Sequence, residues 1–225
     1  MTAVSVAEAR AAVMAAVRAQ PAVRMPLESC QGHVLATDVV APWPLPRWTA
    51  ASMDGWAVHS ADLEHPGTTL AVAGGGDASD GPPPTLQRGS AWRVATGGRV
   101  PEGADSVIRQ EDTATTGDKG RQQVTVENLR DLRRNVRPLG GDVAAGAVAL
   151  AAGTVITPVV IALLASLGEA TPMVYRKQRV AILSSGNEVV ALDRREDLDS
   201  GRRIADANTP MLAALVREGG AVPVL

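Results

Sequence analysis

The chain has 225 residues, 45% of them apolar and 20% charged, and carries a net charge of −2. A globule of that length buries about 70% of its unfolded surface, so a sizeable core is within reach, as one large domain or two small ones. The near-neutral charge excludes a broad basic field for nucleic acid, and the single cysteine, Cys30, excludes an internal disulfide and argues against a cysteine-based zinc site.

Phe is absent and aromatic residues make up only 2%, so Val, Leu, Ile and Ala must build the core. Cys30 sits between apolar positions and reads as a small buried residue. No secretory signal opens the chain, because its first apolar stretch carries Glu8, Arg10 and Arg18. No apolar run is long enough to cross a bilayer. The expected location is the cytoplasm, with neither membrane nor nucleic acid as a partner.

Ser5 to Gln20 reads as a helix. Ser5 and Glu8 have the Ser-x-x-Glu spacing of a capping box, Val6, Ala9, Val13 and Val17 form one apolar stripe, and Pro21 ends the run. A short turn follows at 27–31, then a strand from Val34 to Val40. Residues 41–47 hold three prolines in five positions, an extended connector that marks a domain boundary. From Trp48 to about Arg134 the apolar segments are short: 56–58, 68–73, 91–95, 106–110 and 123–127. Turn signals at 74–77 and 80–84 separate some of them, a pattern that suggests a small β-barrel or sandwich. Past Asn135 come short strands at 148–150, 155–156 and 173–175. Between them Thr157-Pro158 opens a helix over 159–167 that Gly168 stops. The strand Val180 to Leu183, a loop at 184–188, a charged stretch at 194–203, a helix over 211–218 and a strand over 222–225 then read as the opening of a parallel α/β sheet. Two parallel strands cannot bury both faces, so the sheet reads as cut short.

Four segments carry candidate chemistry. In Ser52-Met53-Asp54-Gly55-Trp56, Asp-Gly before an alternating run is a hairpin signal, and Asp54 is either a turn residue or an exposed carboxylate able to hold Mg²⁺ or move a proton. The glycine-containing loop from Thr96 to Gly103 is either a long hairpin loop or an oxyanion cradle to which Arg99 adds charge. The third candidate comprises Arg133, Arg134, Arg137 and the Gly140-Gly141-Asp142 run, either a solvated loop or a site for phosphate or a similar oxyanion. The fourth is the loop Ser184, Ser185, Gly186, Asn187 and Glu188. It follows a buried strand, where open α/β sheets bind ligands, and Asp206 and Asn208 precede the next helix. Asn208 or Thr209 would cap that helix in any case. His33, His59 and His65 have no metal-ligand spacing.

Read in order, these segments resemble the MoeA family and the related E domain of gephyrin. The supporting residues are Leu27-Glu28, Gly32 and Val34-Leu35-Ala36; Ser52-Met53-Asp54-Gly55-Trp56-Ala57-Val58; Thr96-Gly97 with Val100-Pro101-Glu102-Gly103-Ala104-Asp105; Asn135-Val136-Arg137 with Gly140 and Asp142; and Val180 through Glu188. The resemblance implies a multidomain α+β homodimer. Its helix at 1–20 would pack on an α/β molybdopterin-binding domain that begins at 176–225. Residues 21–46 and 135–175 would form a linker domain, and 47–134 an inserted, barrel-like β domain. The implied reaction inserts molybdate into adenylylated molybdopterin with Mg²⁺ and releases AMP. Carried over by motif, Asp54, Thr96, Asp142 and Glu188 are the catalytic positions, with Asp54 and Glu188 on the metal. Ser184, Ser185, Gly186, Asn187, Asp206 and Asn208 would bind the cofactor precursor, and proteins of the same pathway are possible partners.

The chain departs from the family pattern at Ala50-Ala51, Trp56, Gly98-Arg99, Gly141, Ser185 and Asn187, and the family's later pterin-binding motifs lie past residue 225. A non-catalytic scaffold built on the linker and β domains is therefore an alternative. A generic phosphate-binding α/β module would explain only the last fifty residues or so.

Overall fold

The computed structural model describes residues 4–76, 81–118 and 121–225. Asp77 and Asp80, in the two expected turns, lie outside them. The chain divides into two units, Val40–Ala149 and Met1–Val39 together with Leu150–Leu225.

The Val40–Ala149 unit is built on a six-stranded sheet. Its strands are β1 (Gly55–Val58), β2 (Thr68–Gly75), β3 (Ser90–Val94), β4 (Ser106–Arg109), β5 (Thr113–Thr116) and β6 (Gln123–Val126). They run in the order β4-β1-β3-β2-β6-β5. All neighbours are antiparallel except β2 and β3. Alternation along β1 sends its side chains to two faces. Trp56 and Val58 join Leu63, Leu70, Ile108 and Val124 in one core, while Ala57 joins Ala51, Val94, Val100 and Val107 in another. All four β1 residues are buried as a result.

Gly55 is not the turn residue of a hairpin. The short strand before it, Ala50–Ala51, pairs with Val136–Arg137 and not with β1. Gly55 lies within β1, where a Cβ would stand 2.0 Å from the Ile108 carbonyl oxygen, so the position demands glycine for close approach of two strands. Gly74 does have a positive φ, 148°, at a bulge between Val72 and Gly74, and a Cβ there would strike the Trp92 ring at 2.7 Å.

The other unit holds a three-stranded antiparallel sheet in the order Ala22–Arg24, Met173–Tyr175, Val34–Leu35. The expected strand over Val34 to Val40 is thus interrupted. Asp38 turns aside to accept the Ala152 N–H at 2.7 Å. Cys30, Leu35, Ile156, Leu164 and Val174 form the core here. Helix α1 (Val6–Ala16) has the capping box of Ser5 and Glu8 but stops short of Gln20 and buries none of its residues. Helix α2 (Pro158–Ser166) starts at its Thr157 cap with proline at the first turn. A short helix, α3 (Arg195–Asp199), occupies the charged stretch, and α4 (Asn208–Glu218) connects the parallel strands Arg179–Ala181 and Val222–Val224. A second parallel pair joins Val189–Val190 to Ile204–Ala205. Leu183, Met211, Leu215, Val222 and Leu225 remain exposed around this sheet. Among the described residues no helix is long and apolar enough to cross a membrane.

Candidate functional site

The register of β1 on β3 pairs Gly55 with Val94. That places Asp54, just before β1, beside the loop that leaves β3 at Thr96. The loop is held from below by backbone. The Gly97 N–H donates to the Ala51 carbonyl at 2.8 Å, and the Ala51 N–H donates to the Gly98 carbonyl at 3.0 Å. Gly97 has a φ of 78°, a conformation glycine adopts without steric cost. The Trp48 indole N–H donates to the Gly97 carbonyl at 2.9 Å, and the Arg99 guanidinium stacks over Trp48 at 4.2 Å. Arg99 lines a different hollow from Thr96, with Trp92 and Pro82, and its buried Nε has no hydrogen-bond partner among the described residues.

Two sequence-chosen residues meet here. Thr96 donates its backbone N–H and its hydroxyl to the same oxygen of Asp54, Oδ1, at 2.6 and 2.7 Å. The Thr96 N–H and then its hydroxyl hold the Asp54 carboxyl below its ordinary pKa against an opposing effect of burial, and the positive charge of Arg93 adds the smallest contribution. Asp54 is exposed and opens into a hollow of about 470 Å³ that Thr96, Arg109, Gln110 and Arg130 also line. A second hollow of about 590 Å³ lies on its other side, lined by Trp56, Arg93 and Gln122.

The arginines behind the first hollow are paired. Arg109 grips Asp131 through two side-chain hydrogen bonds, at 2.8 and 3.0 Å, and Arg130 grips Asp112 at 2.6 and 2.7 Å. Asp131 is 2% exposed, and the Arg109 fork holds its pKa down to about 2. These pairs stiffen the segment that carries Gln110, whose N–H donates to the Asp54 carbonyl at 3.1 Å.

Asp142 lies in the same unit, in an exposed ion pair with Arg137. Among the described residues no hydrogen bond or ion pair links it to Asp54 or Thr96. Arg133 leans on Ser60 and on the charge of Asp105, outside its own loop, so with the Arg137–Asp142 pair two of the three arginines have partners.

Glu188 belongs to the other unit, where its carboxylate folds beside Gly186; a Cβ there would meet Oε1 at 2.9 Å. In that unit the sequence-chosen residues around α4 converge. Asp206 accepts the Thr209 hydroxyl at 2.6 Å and its N–H at 3.0 Å. Those bonds, with smaller contributions from the Ser184 hydroxyl and the Asn208 N–H, lower its pKa. Asp206, not Asn208, is therefore the residue that steadies the start of α4. Ser185 and Asn187 are exposed in the loop between them.

Among the described residues no three His, Cys, Asp or Glu side chains stand close enough to hold a metal ion. Asp54 offers a single carboxylate, too few ligands for a Mg²⁺ site by itself. Arg93 escaped the sequence reading; a lone arginine in a strand looks like any solvent-facing residue.

Residues 4–168 match the family described as the MoeA N-terminal region (domain I and II). Molybdopterin molybdenumtransferase 2 of Mycobacterium tuberculosis is 37% identical over 226 residues, which cover 98% of this chain and 54% of that protein. Molybdopterin molybdenumtransferase of Haemophilus influenzae is 37% identical over 182 residues, 81% of this chain and 43% of that one. The crystal structure of a molybdopterin biosynthesis MoeA protein from Pyrococcus horikoshii superposes with a TM-score of 0.74 at 29% identity, covering 91% of this chain and 54% of that one. The chain spans about half the length of the curated relatives it matches.

Proposed function

The chain belongs to the MoeA family, and on that premise we propose that it contributes the Asp54 side of a site that inserts molybdate into adenylylated molybdopterin and releases AMP. The observation that carries this reading is the double hydrogen bond from Thr96 to Asp54. It fixes an exposed carboxylate in one direction at the mouth of a hollow and keeps it ionised. An ionised Asp54 attracts positive charge or accepts a proton; it is not the resting acid. The two protons that one molybdate oxygen needs to leave as water are those of the two thiols that replace it, and the charge of Asp54 orients the exchange.

In the same reading, residues 47–134 form the inserted β domain, 21–46 and 135–175 the linker domain, and 176–225 the start of the α/β domain. Helix α1 is assigned to that last domain as a packing partner, although its Val6, Val13 and Met14 are exposed and it buries no residue of its own. Asp142 belongs to the unit that carries Asp54, Glu188 and the Ser184 to Asn208 group act within the α/β domain, and two copies of the protein associate.

The scaffold alternative draws on the departures from the family pattern, and their placement weakens it. Ala50 and Ala51 are 3% and 1% exposed and act through their backbone, holding the loop that presents Thr96. Their small side chains strip nothing from the surface that bears Asp54. The direct test is AMP release from adenylylated molybdopterin by the protein extended to the length of its relatives. Release that depends on molybdate supports the reading, and release indifferent to molybdate refutes it.

A further inference from the structure

Beside the Asp54 hollow lies another, of about 340 Å³, lined by Trp56, Arg93, Gln110, Thr113, Thr115 and Gln122. Trp56 and Arg93 are cross-strand partners on β1 and β3, and together with Gln122 they also line the hollow of about 590 Å³ that contains Asp54. The two spaces therefore share a wall. Their chemistry differs. The smaller one contains a guanidinium, two amides and two hydroxyls, and no carboxylate.

Arg93 is the charged group in it, and no ion pair or hydrogen bond engages its side chain among the described residues; its charge acts on Asp54. The other arginines of this face, Arg109 and Arg130, are already forked onto Asp131 and Asp112. The backbone keeps room for Arg93. Gly75 lies opposite it on β2, where a Cβ would come within 2.7 Å of the Arg93 Cβ. The Thr113 hydroxyl spends its proton on the Gln110 carbonyl at 2.9 Å, which leaves the Thr115 hydroxyl and the amides of Gln110 and Gln122 as neutral donors. A cation with unused N–H groups, in a hollow lined by neutral donors and one indole, is a receptor for an oxyanion.

We propose that this hollow binds a tetrahedral oxyanion on Arg93, next to Asp54 but not on it. The assignment rests on the molybdate-insertion reading for the choice of anions, which are molybdate itself or the phosphate of the nucleotide. Its test needs no turnover. The protein is titrated with molybdate, inorganic phosphate and AMP in separate arms, by calorimetry, at low ionic strength. At least one anion binds. Arg93→Ala weakens that binding by about tenfold or more, the scale of a charge-assisted hydrogen bond pair. Arg93→Lys, which keeps the charge but not the fork, loses less. Arg134→Ala, which removes an exposed arginine of the competing cluster, leaves binding unchanged. Tightest binding of molybdate identifies the metal oxyanion as the ligand, and tightest binding of AMP the nucleotide phosphate. Arg93 is exposed, so unaltered melting curves are expected to accompany every variant. Binding that survives Arg93→Ala intact, or no binding of any of the three at millimolar concentration, overturns the proposal. If the anion binds through Arg93 yet the extended protein inserts no molybdenum, the site stands and the proposed function falls.

Discussion

Thr96 spends both of its donors on one oxygen of Asp54, across 42 residues of sequence. The backbone N–H is the larger cause of the lowered Asp54 pKa and the hydroxyl the smaller. Thr96→Ala removes only the hydroxyl. The Asp54 carboxyl should then rise part of the way back toward its ordinary value, as read by carboxyl NMR titration. No movement, or a complete return, would mean the two bonds do not act as described.

Gly55 is pinned against Ile108. An alanine there would place its Cβ 2.0 Å from a backbone oxygen in a paired strand, and neither strand can yield without losing its ladder. Gly55→Ala should cost about 3 kcal/mol or more, on the scale of severe overpacking. Urea unfolding measures it. A loss under 1 kcal/mol would show that β1 and β4 can separate freely.

Acid should unfold the Val40–Ala149 unit partly through Asp131. Its carboxyl falls from an ordinary value of 3.8 to about 2 on folding, chiefly through the Arg109 fork. A depressed carboxyl contributes stability that is fully present above the unfolded pKa and is lost as pH falls through the folded one. The window is therefore from about pH 4 down to about pH 2, and the contribution is about 2 kcal/mol. Asp131→Asn should flatten the stability profile across that window while lowering stability at neutral pH. A profile with the same slope in both proteins contradicts the assignment.

Local chemistry was legible in the sequence where cause and effect are neighbours. The capping box at Ser5, the Thr157-Pro158 helix start and the strand Met173–Tyr175 all follow from residues within one turn of each other. Asp54-Gly55 misled because a hairpin turn and a close strand crossing both demand glycine, and only the pairing partner tells them apart. The edge strand Thr113–Thr116 has no apolar side to announce it and is held by pairing with β6. Asp54 and Thr96 were each chosen, but nothing in the sequence joins them. The register of β1 on β3 does that. Arg93 matters only because Gly75 and Trp56, far away in sequence, surround it.

Assembly is open to a plain measurement. Val13 and Met14 on α1 and Met211 and Leu215 on α4 expose more than half of their surface. Apolar residues left open in this way favour association. Sedimentation velocity at micromolar concentration should show a dimer. A stable monomer at that concentration would remove the homodimer from the proposed function.

Asp54 acts through its charge in the proposed reaction, and Asp54→Asn removes that charge at nearly constant size. The change keeps the size of the side chain and can still accept from Thr96, but it removes the negative charge and the capacity to take up a proton. In the protein extended to the length of its relatives, AMP release from adenylylated molybdopterin with molybdate should fall by a factor of about 10² or more, the usual scale for a positioned acid–base group. The thermal melt should change little, because Asp54 is exposed. Near-normal turnover with an unchanged melt would rule out a role for the charge and leave Asp54 as no more than an anchor for the Thr96 loop.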